Sequence, residues 1–142
     1  LSIYKNEVEK PDFIEKVEFN DNGNKICEPS FTKYKHTFIE GLYIREMYCP
    51  KDTICFSVIH KKSNVLFLLS GKIAISCEDG IKELTGPTYV ITEPGTKRII
   101  LGLEDVVAVT VHPNPDGIED LEEIEKQLYA LTWEDFEKHE LL

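Results

Sequence analysis

Little in this sequence is specialised for metal, membrane or nucleic acid. Of 142 residues four are cysteine, Cys27, Cys49, Cys55 and Cys77, and no two form a Cys-x-x-Cys pair. That spacing excludes a zinc-type cluster and suggests reduced, partly buried thiols. No apolar run approaches the roughly 18 residues a membrane-spanning helix needs. The opening residues, Leu1-Ser2-Ile3-Tyr4-Lys5, hold no apolar stretch of the signal-peptide kind. The expected location is therefore the cytoplasm, with no membrane partner. There is no Gly-x-Gly-x-x-Gly, no Walker loop, no Gly-x-Ser-x-Gly elbow and no His-Glu-x-x-His. Cys55 lacks a histidine at any recognisable spacing, which leaves a thiol nucleophile unsupported.

Positive charge is also scarce. Sixteen Lys and Arg face 26 Asp and Glu, for a net charge of −10. With no basic stripe and a field that repels phosphates, broad nucleic-acid binding is not expected. The imbalance is local: residues 113–142 carry 2 basic and 10 acidic side chains, and residues 1–112 carry 14 and 16. The acidity thus belongs to the tail.

What is present is strand and turn. Short apolar segments at 42–49, 53–60, 65–69, 72–77, 81–84, 88–92, 96–101 and 106–112 are separated by turn signals such as Pro50-Lys51-Asp52, Glu78-Asp79-Gly80 and Pro94-Gly95. Seven or eight short strands with no helix between them predict an antiparallel sandwich or barrel. After Pro113-Asn114-Pro115 the period changes. Ile118, Leu121, Ile124 and Leu128 recur at helical spacing, with Asp116 as the expected N-cap. Thr132 is placed to cap a second helical turn. Residues 1–40 read as an N-terminal arm or hairpin, with polar turn residues 20–24 between segments 13–19 and 31–38; a flexible leader is the alternative. The predicted organisation is an arm at 1–40, a barrel at 41–113 and an acidic helical tail at 114–142, packed on the barrel or on a neighbouring subunit.

Residues 45–112 resemble the cupin superfamily. The first cupin motif, H-x-H-x(3–4)-E-x6-G, lies on Val58, His60, Asn64 and Gly71. The second, P-x-G-x2-H-x3-N, lies on Glu93-Pro94-Gly95, with Arg98 in the histidine place and Gly102 in the asparagine place. The resemblance implies an all-β, cupin-type antiparallel β-barrel (jelly roll), here with a short C-terminal α-helical tail. It also implies a metal centre whose ligands this chain mostly lacks. Only His60 stands at a ligand position; valine cannot coordinate, an Asn amide is a weak ligand and a guanidinium repels metal. No metal and no cofactor are expected. Residues 41–140 are further similar to small, uncharacterised cupin-like proteins encoded by bacteriophages, through Leu69-Ser70-Gly71-Lys72, Pro94-Gly95-Thr96-Lys97-Arg98 and the acidic helix that follows.

Strand alternation puts His60 and Arg98 among apolar neighbours, where a titratable or charged group needs a partner. His60, Arg98, His112, Asn64, Tyr89 and Lys97 are the candidate ligand-binding residues; none is assigned a catalytic role. Core packing is the alternative for His112 and Tyr89, and a solvated surface for Lys97. The expected function is a non-enzymatic, metal-free cupin that binds a small anionic ligand and works as a homo-oligomer. In a phage-encoded protein that ligand would be a host signalling nucleotide. A structural or protein-interaction role, and a metal-dependent enzyme with non-standard ligands such as His60 with His112, are the competing expectations.

Overall fold

Alternation of apolar and polar residues sets the strands, and glycine and proline set the corners. A computed structural model describes the backbone of residues 6–10, 14–19, 25–29, 32–77 and 79–140, with side chains over 33–77 and 79–139. The expected turn at 20–24, the positions of Phe13 and Phe31, and Glu78 of the expected hairpin turn lie outside the described residues. The strands are β1 (Asn6–Lys10), β2 (Ile14–Phe19), β3 (Lys25–Pro29), β4 (Thr32–Ile39), β5 (Gly41–Cys49), β6 (Thr53–Phe56), β7 (Ile59–His60), β8 (Asn64–Ser70), β9 (Lys72–Cys77), β10 (Gly80–Thr85), β11 (Thr88–Thr92), β12 (Ile99–Gly102) and β13 (Val106–Asn114). Helix α1 (Leu121–Leu128), the short β14 (Tyr129–Ala130) and helix α2 (Trp133–Glu140) complete the chain.

One six-stranded sheet has the order β1-β4-β5-β13-β8-β11 and a second the order β10-β9-β12-β6-β2-β3; β14 pairs with β7 as a third, two-stranded sheet. The pairings are antiparallel. The two large sheets face one another across a core to which the first gives Leu66, Leu68, Val106 and Ala108, and the second Cys55, Ile73, Ile75 and Ile100. Cys55 and Cys77 are free thiols. Gly71 turns β8 into β9 with φ +91°, and a Cβ there would collide with the Asp105 carbonyl. Only glycine fits that turn.

Three expectations change in detail. The segment 53–60 is two strands, because the Ser57 N–H donates to the Arg98 carbonyl and the Arg98 N–H donates to Ser57 Oγ, which bends the chain out of β6. The same bonds hold Arg98 outside regular structure, so β12 begins at Ile99. The helix starts later than Asp116 would set it. Asn114 accepts from the Ile118 N–H and donates to its carbonyl, both at 3.0 Å, and holds that residue in a turn. The N-cap is Asp120, whose carboxylate accepts from Glu123 N–H at 3.0 Å. Thr132 does cap α2, accepting from Asp135 N–H at 3.1 Å.

The tail docks on the barrel of its own chain. Ile124 and Leu128 of α1 are buried against Phe38 and Tyr43. Beyond them β14 pairs Tyr129 with His60 and Ala130 with Ile59. The Lys61 N–H and ammonium donate to the carbonyls of Leu128 and Lys126, at 2.8 and 2.7 Å. The Phe136 ring of α2 lies against Gly95, where a Cβ would meet it at 3.3 Å.

Candidate functional site

Between the core and α1 the sheets enclose a cavity of about 370 Å³. Its wall on the first sheet comes from inward rows of three neighbouring strands. On β5, alternation turns Tyr43, Arg45, Met47 and Cys49 inward; on β13 it does the same to Ala108, Thr110 and His112, with Thr110 in register with Arg45. On β8 the inward residues are Asn64 and Leu66, the latter in register with Thr110. Cys55 and Ile100 close the opposite wall, and α1 with β14 roofs the space with Glu122, Glu125, Lys126 and Tyr129.

Arg45 is the cation at the centre of this wall, and the sequence pattern alone did not single it out. The signal was available: in Tyr43-Ile44-Arg45-Glu46-Met47 strict alternation places a guanidinium among inward aromatic and apolar neighbours. Its carbon lies 5.3 Å from the centre of the Tyr34 ring and 5.9 Å from that of Tyr129, a cation–π arrangement. Burial opposes its charge, but the oxygens of Tyr129, Tyr43 and Tyr34 and the Glu125 carboxylate outweigh burial, so it holds its proton more firmly than usual. Its Nε is buried with no hydrogen-bond partner.

His60, Asn64 and Arg98 line the same cavity. The His60 ring donates through Nδ1 to the Thr96 carbonyl at 2.9 Å and packs edge-on against Tyr129 at 5.2 Å. Burial, followed by the nearby Arg45 and Arg98 charges, lowers its pKa, so the ring is neutral at pH 7. Arg98 donates to the carbonyls of Ser76 at 3.4 Å and Ile91 at 3.1 Å, bracing β9 against β11. Its Nε, like Asn64 Nδ2 and the Tyr129 hydroxyl, is buried without a partner.

The remaining three candidates stand elsewhere. His112 is buried behind the cavity, with Nε2 2.9 Å from Thr110 Oγ1 and its ring stacked on Tyr43 at 5.5 Å. Burial, then Arg45 and His60, push its pKa down to about 2. Tyr89 is 63% exposed on the outer face of β11, beside Phe67. Lys97 is exposed and does not line the cavity.

The chemistry of this set is that of a donor-lined hole. Among the described residues no three His, Cys, Asp or Glu side chains stand close enough together to hold a metal ion. The hydrogen bond with Cys49, and then burial, raise the Cys55 pKa, which keeps it a thiol rather than a nucleophilic thiolate. The acidic tail contributes to the cavity, since Glu122 and Glu125 lie in its roof.

No protein-family model matches the sequence, and no curated protein does. Solved structures do match in fold. An RmlC-like cupin from Shewanella frigidimarina superposes with a TM-score of 0.52 at 15% identity, over 63% of this chain and 78% of that one. The cupin domain of an XRE family transcriptional regulator from Enterobacter cloacae gives 0.51 at 11% identity, over 58% and 98%. A protein of unknown function from Vibrio parahaemolyticus gives 0.51 at 7% identity, over 68% and 96%. The chain therefore has the cupin fold, an antiparallel jelly-roll barrel, here with a short C-terminal helical segment. These three are bacterial proteins, and nothing in them points to a phage.

Proposed function

We propose that this protein is a non-enzymatic, metal-free cupin whose barrel cavity binds a small anionic ligand. One observation carries this: among the described residues, four of the buried donors without partners, Arg45 Nε, Arg98 Nε, Asn64 Nδ2 and the Tyr129 hydroxyl, belong to residues lining a single cavity, while those of Thr37 and Thr53 lie elsewhere. An unmet buried donor costs about 1–3 kcal/mol, so an acceptor-rich ligand toward which these side chains turn would recover free energy on binding. A volume of about 370 Å³ lies at the small end of the range for ligand pockets, roughly 300–1,000 Å³. A host signalling nucleotide, the ligand that the phage resemblance implies, belongs to the same acceptor-rich class. Calorimetry with fractions of a cell-metabolite extract tests the proposal. A saturable heat that is lost in Arg98→Ala supports it, and no heat from any fraction, or the same heat in the variant, overturns it.

We also infer that the protein forms a homo-oligomer through β11. This strand ends its sheet, and Thr88-Tyr89-Val90-Ile91-Thr92 holds no charge in a chain of net charge −10. Tyr89 and Ile91 are exposed on its outer face, next to exposed Phe67 and Leu69 of β8. A second copy pairing antiparallel to β11 would meet no like charge and would cover a free edge.

A further inference from the structure

The charges of the cavity restrict which anion it accepts. Among the described residues Arg45, Arg98 and Lys126 line it, and so do Glu122 and Glu125; these three cations against two carboxylates leave one net positive charge, with His60 neutral. A ligand with two or more negative charges would meet the roof acids with its excess. Lys126 is moreover drawn outward to Glu123, at 3.2 Å.

The N–H groups of a guanidinium lie in one plane as a fixed fork that matches a carboxylate or a phosphate equally, so the charge of the site, not the fork, favours the carboxylate. Arg45 lines the cavity, held between the rings of Tyr34 and Tyr129 with its Nε buried, so the orientation of its guanidinium is fixed. Most of the remaining wall is apolar, with Met47, Phe56, Val58, Leu66, Ile100 and Ala108 beside the polar His60, Asn64, Thr92 and Thr110. At the liquid volume of water, about 30 Å³ per molecule, the cavity holds roughly a dozen heavy atoms.

We propose that the ligand is a monocarboxylate with an apolar body of about that size, its carboxylate seated on Arg45 and its body against the apolar wall. This rests on the cavity being the binding site, and it selects a ligand class within that proposal, away from phosphates and nucleotides.

The test titrates the full-length chain at pH 7 with octanoate, octanamide, benzoate, inorganic phosphate and AMP by isothermal titration calorimetry. Octanoate or benzoate should bind, with octanamide at least tenfold weaker than octanoate and no measurable heat from phosphate or AMP. Arg45→Met should lose carboxylate binding, while the acid–amide comparison in the unaltered protein needs no variant to fold. Four results overturn the inference. Octanamide as tight as octanoate removes the role of the carboxylate. Carboxylate binding unchanged in a folded Arg45→Met protein removes Arg45. Binding of phosphate or AMP without the carboxylates overturns the monocarboxylate class and leaves anion binding in the cavity standing, whereas silence from all five probes counts against both.

Discussion

Lowering the pH from 7 to 5 should weaken this protein through His112 by an amount that the structure sets. The ring is 2% exposed and stacked on Tyr43, and burial, Arg45 and His60 together depress its pKa to about 2. In the unfolded chain a histidine titrates near about 6.5. Above that pH both states are neutral and the buried ring contributes its full stability. As the pH falls through 6.5 the unfolded state takes up a proton that the folded state refuses. Stability then drops by about 1.4 kcal/mol per pH unit until both states are protonated below the folded pKa. Between pH 7 and pH 5 the loss from His112 is about 2 kcal/mol. Urea unfolding of the parent and of His112→Phe at both pH values isolates it, since carboxylates and His60 titrate alike in the two proteins. The parent should lose about 2 kcal/mol more than the variant. Equal losses would refute the buried, neutral state of His112.

Further outcomes follow from other parts of the barrel. Gly71→Ala should cost about 2 kcal/mol or more in denaturant unfolding, because the turn requires φ +91° and a Cβ collides with the Asp105 carbonyl. Leu68, at the centre of the core and fully buried, should cost about 2–5 kcal/mol as Leu68→Ala. Ile91→Lys should convert the proposed oligomer to monomer in sedimentation velocity without changing the circular dichroism spectrum; a parent already monomeric would end that proposal. Elemental analysis of purified protein should give well under one metal per chain, and a chelator should leave the melting temperature in place. A stoichiometric metal would favour the enzyme with non-standard ligands.

Most barrel strands from residue 41 onward were legible because they alternate and stop beside Gly, Pro or Asp; the break between β6 and β7 was not, because it is made by the hydrogen bonds between Ser57 and Arg98. The helix start was not, because it depends on the two hydrogen bonds between Asn114 and Ile118. Helical periodicity cannot reveal a side chain that pins the residue before the helix. His60, Arg98 and Asn64 were legible through the cupin motif positions they occupy, and the cavity brings them together. Arg45 lies at the start of the matched stretch and at no ligand position of that motif, so only alternation along β5 would have exposed it. Tyr89 shows the opposite difficulty: a strand aromatic suits either face, and the register of β11 on β8 turns it outward beside Phe67. The acids of α1 could be assigned to a solvated helix from composition, but not to the roof, since their position depends on how Ile124 and Leu128 dock on Phe38 and Tyr43.

The central claim is that the cavity around Arg45 holds a small anion. Native mass spectrometry of the protein and of Arg45→Met, each incubated with the same metabolite extract and compared with its own denatured mass, tests it most directly. The predicted result is one added small molecule per chain on the parent and none on the folded variant. An unliganded parent, or the same added mass on both proteins, would contradict it.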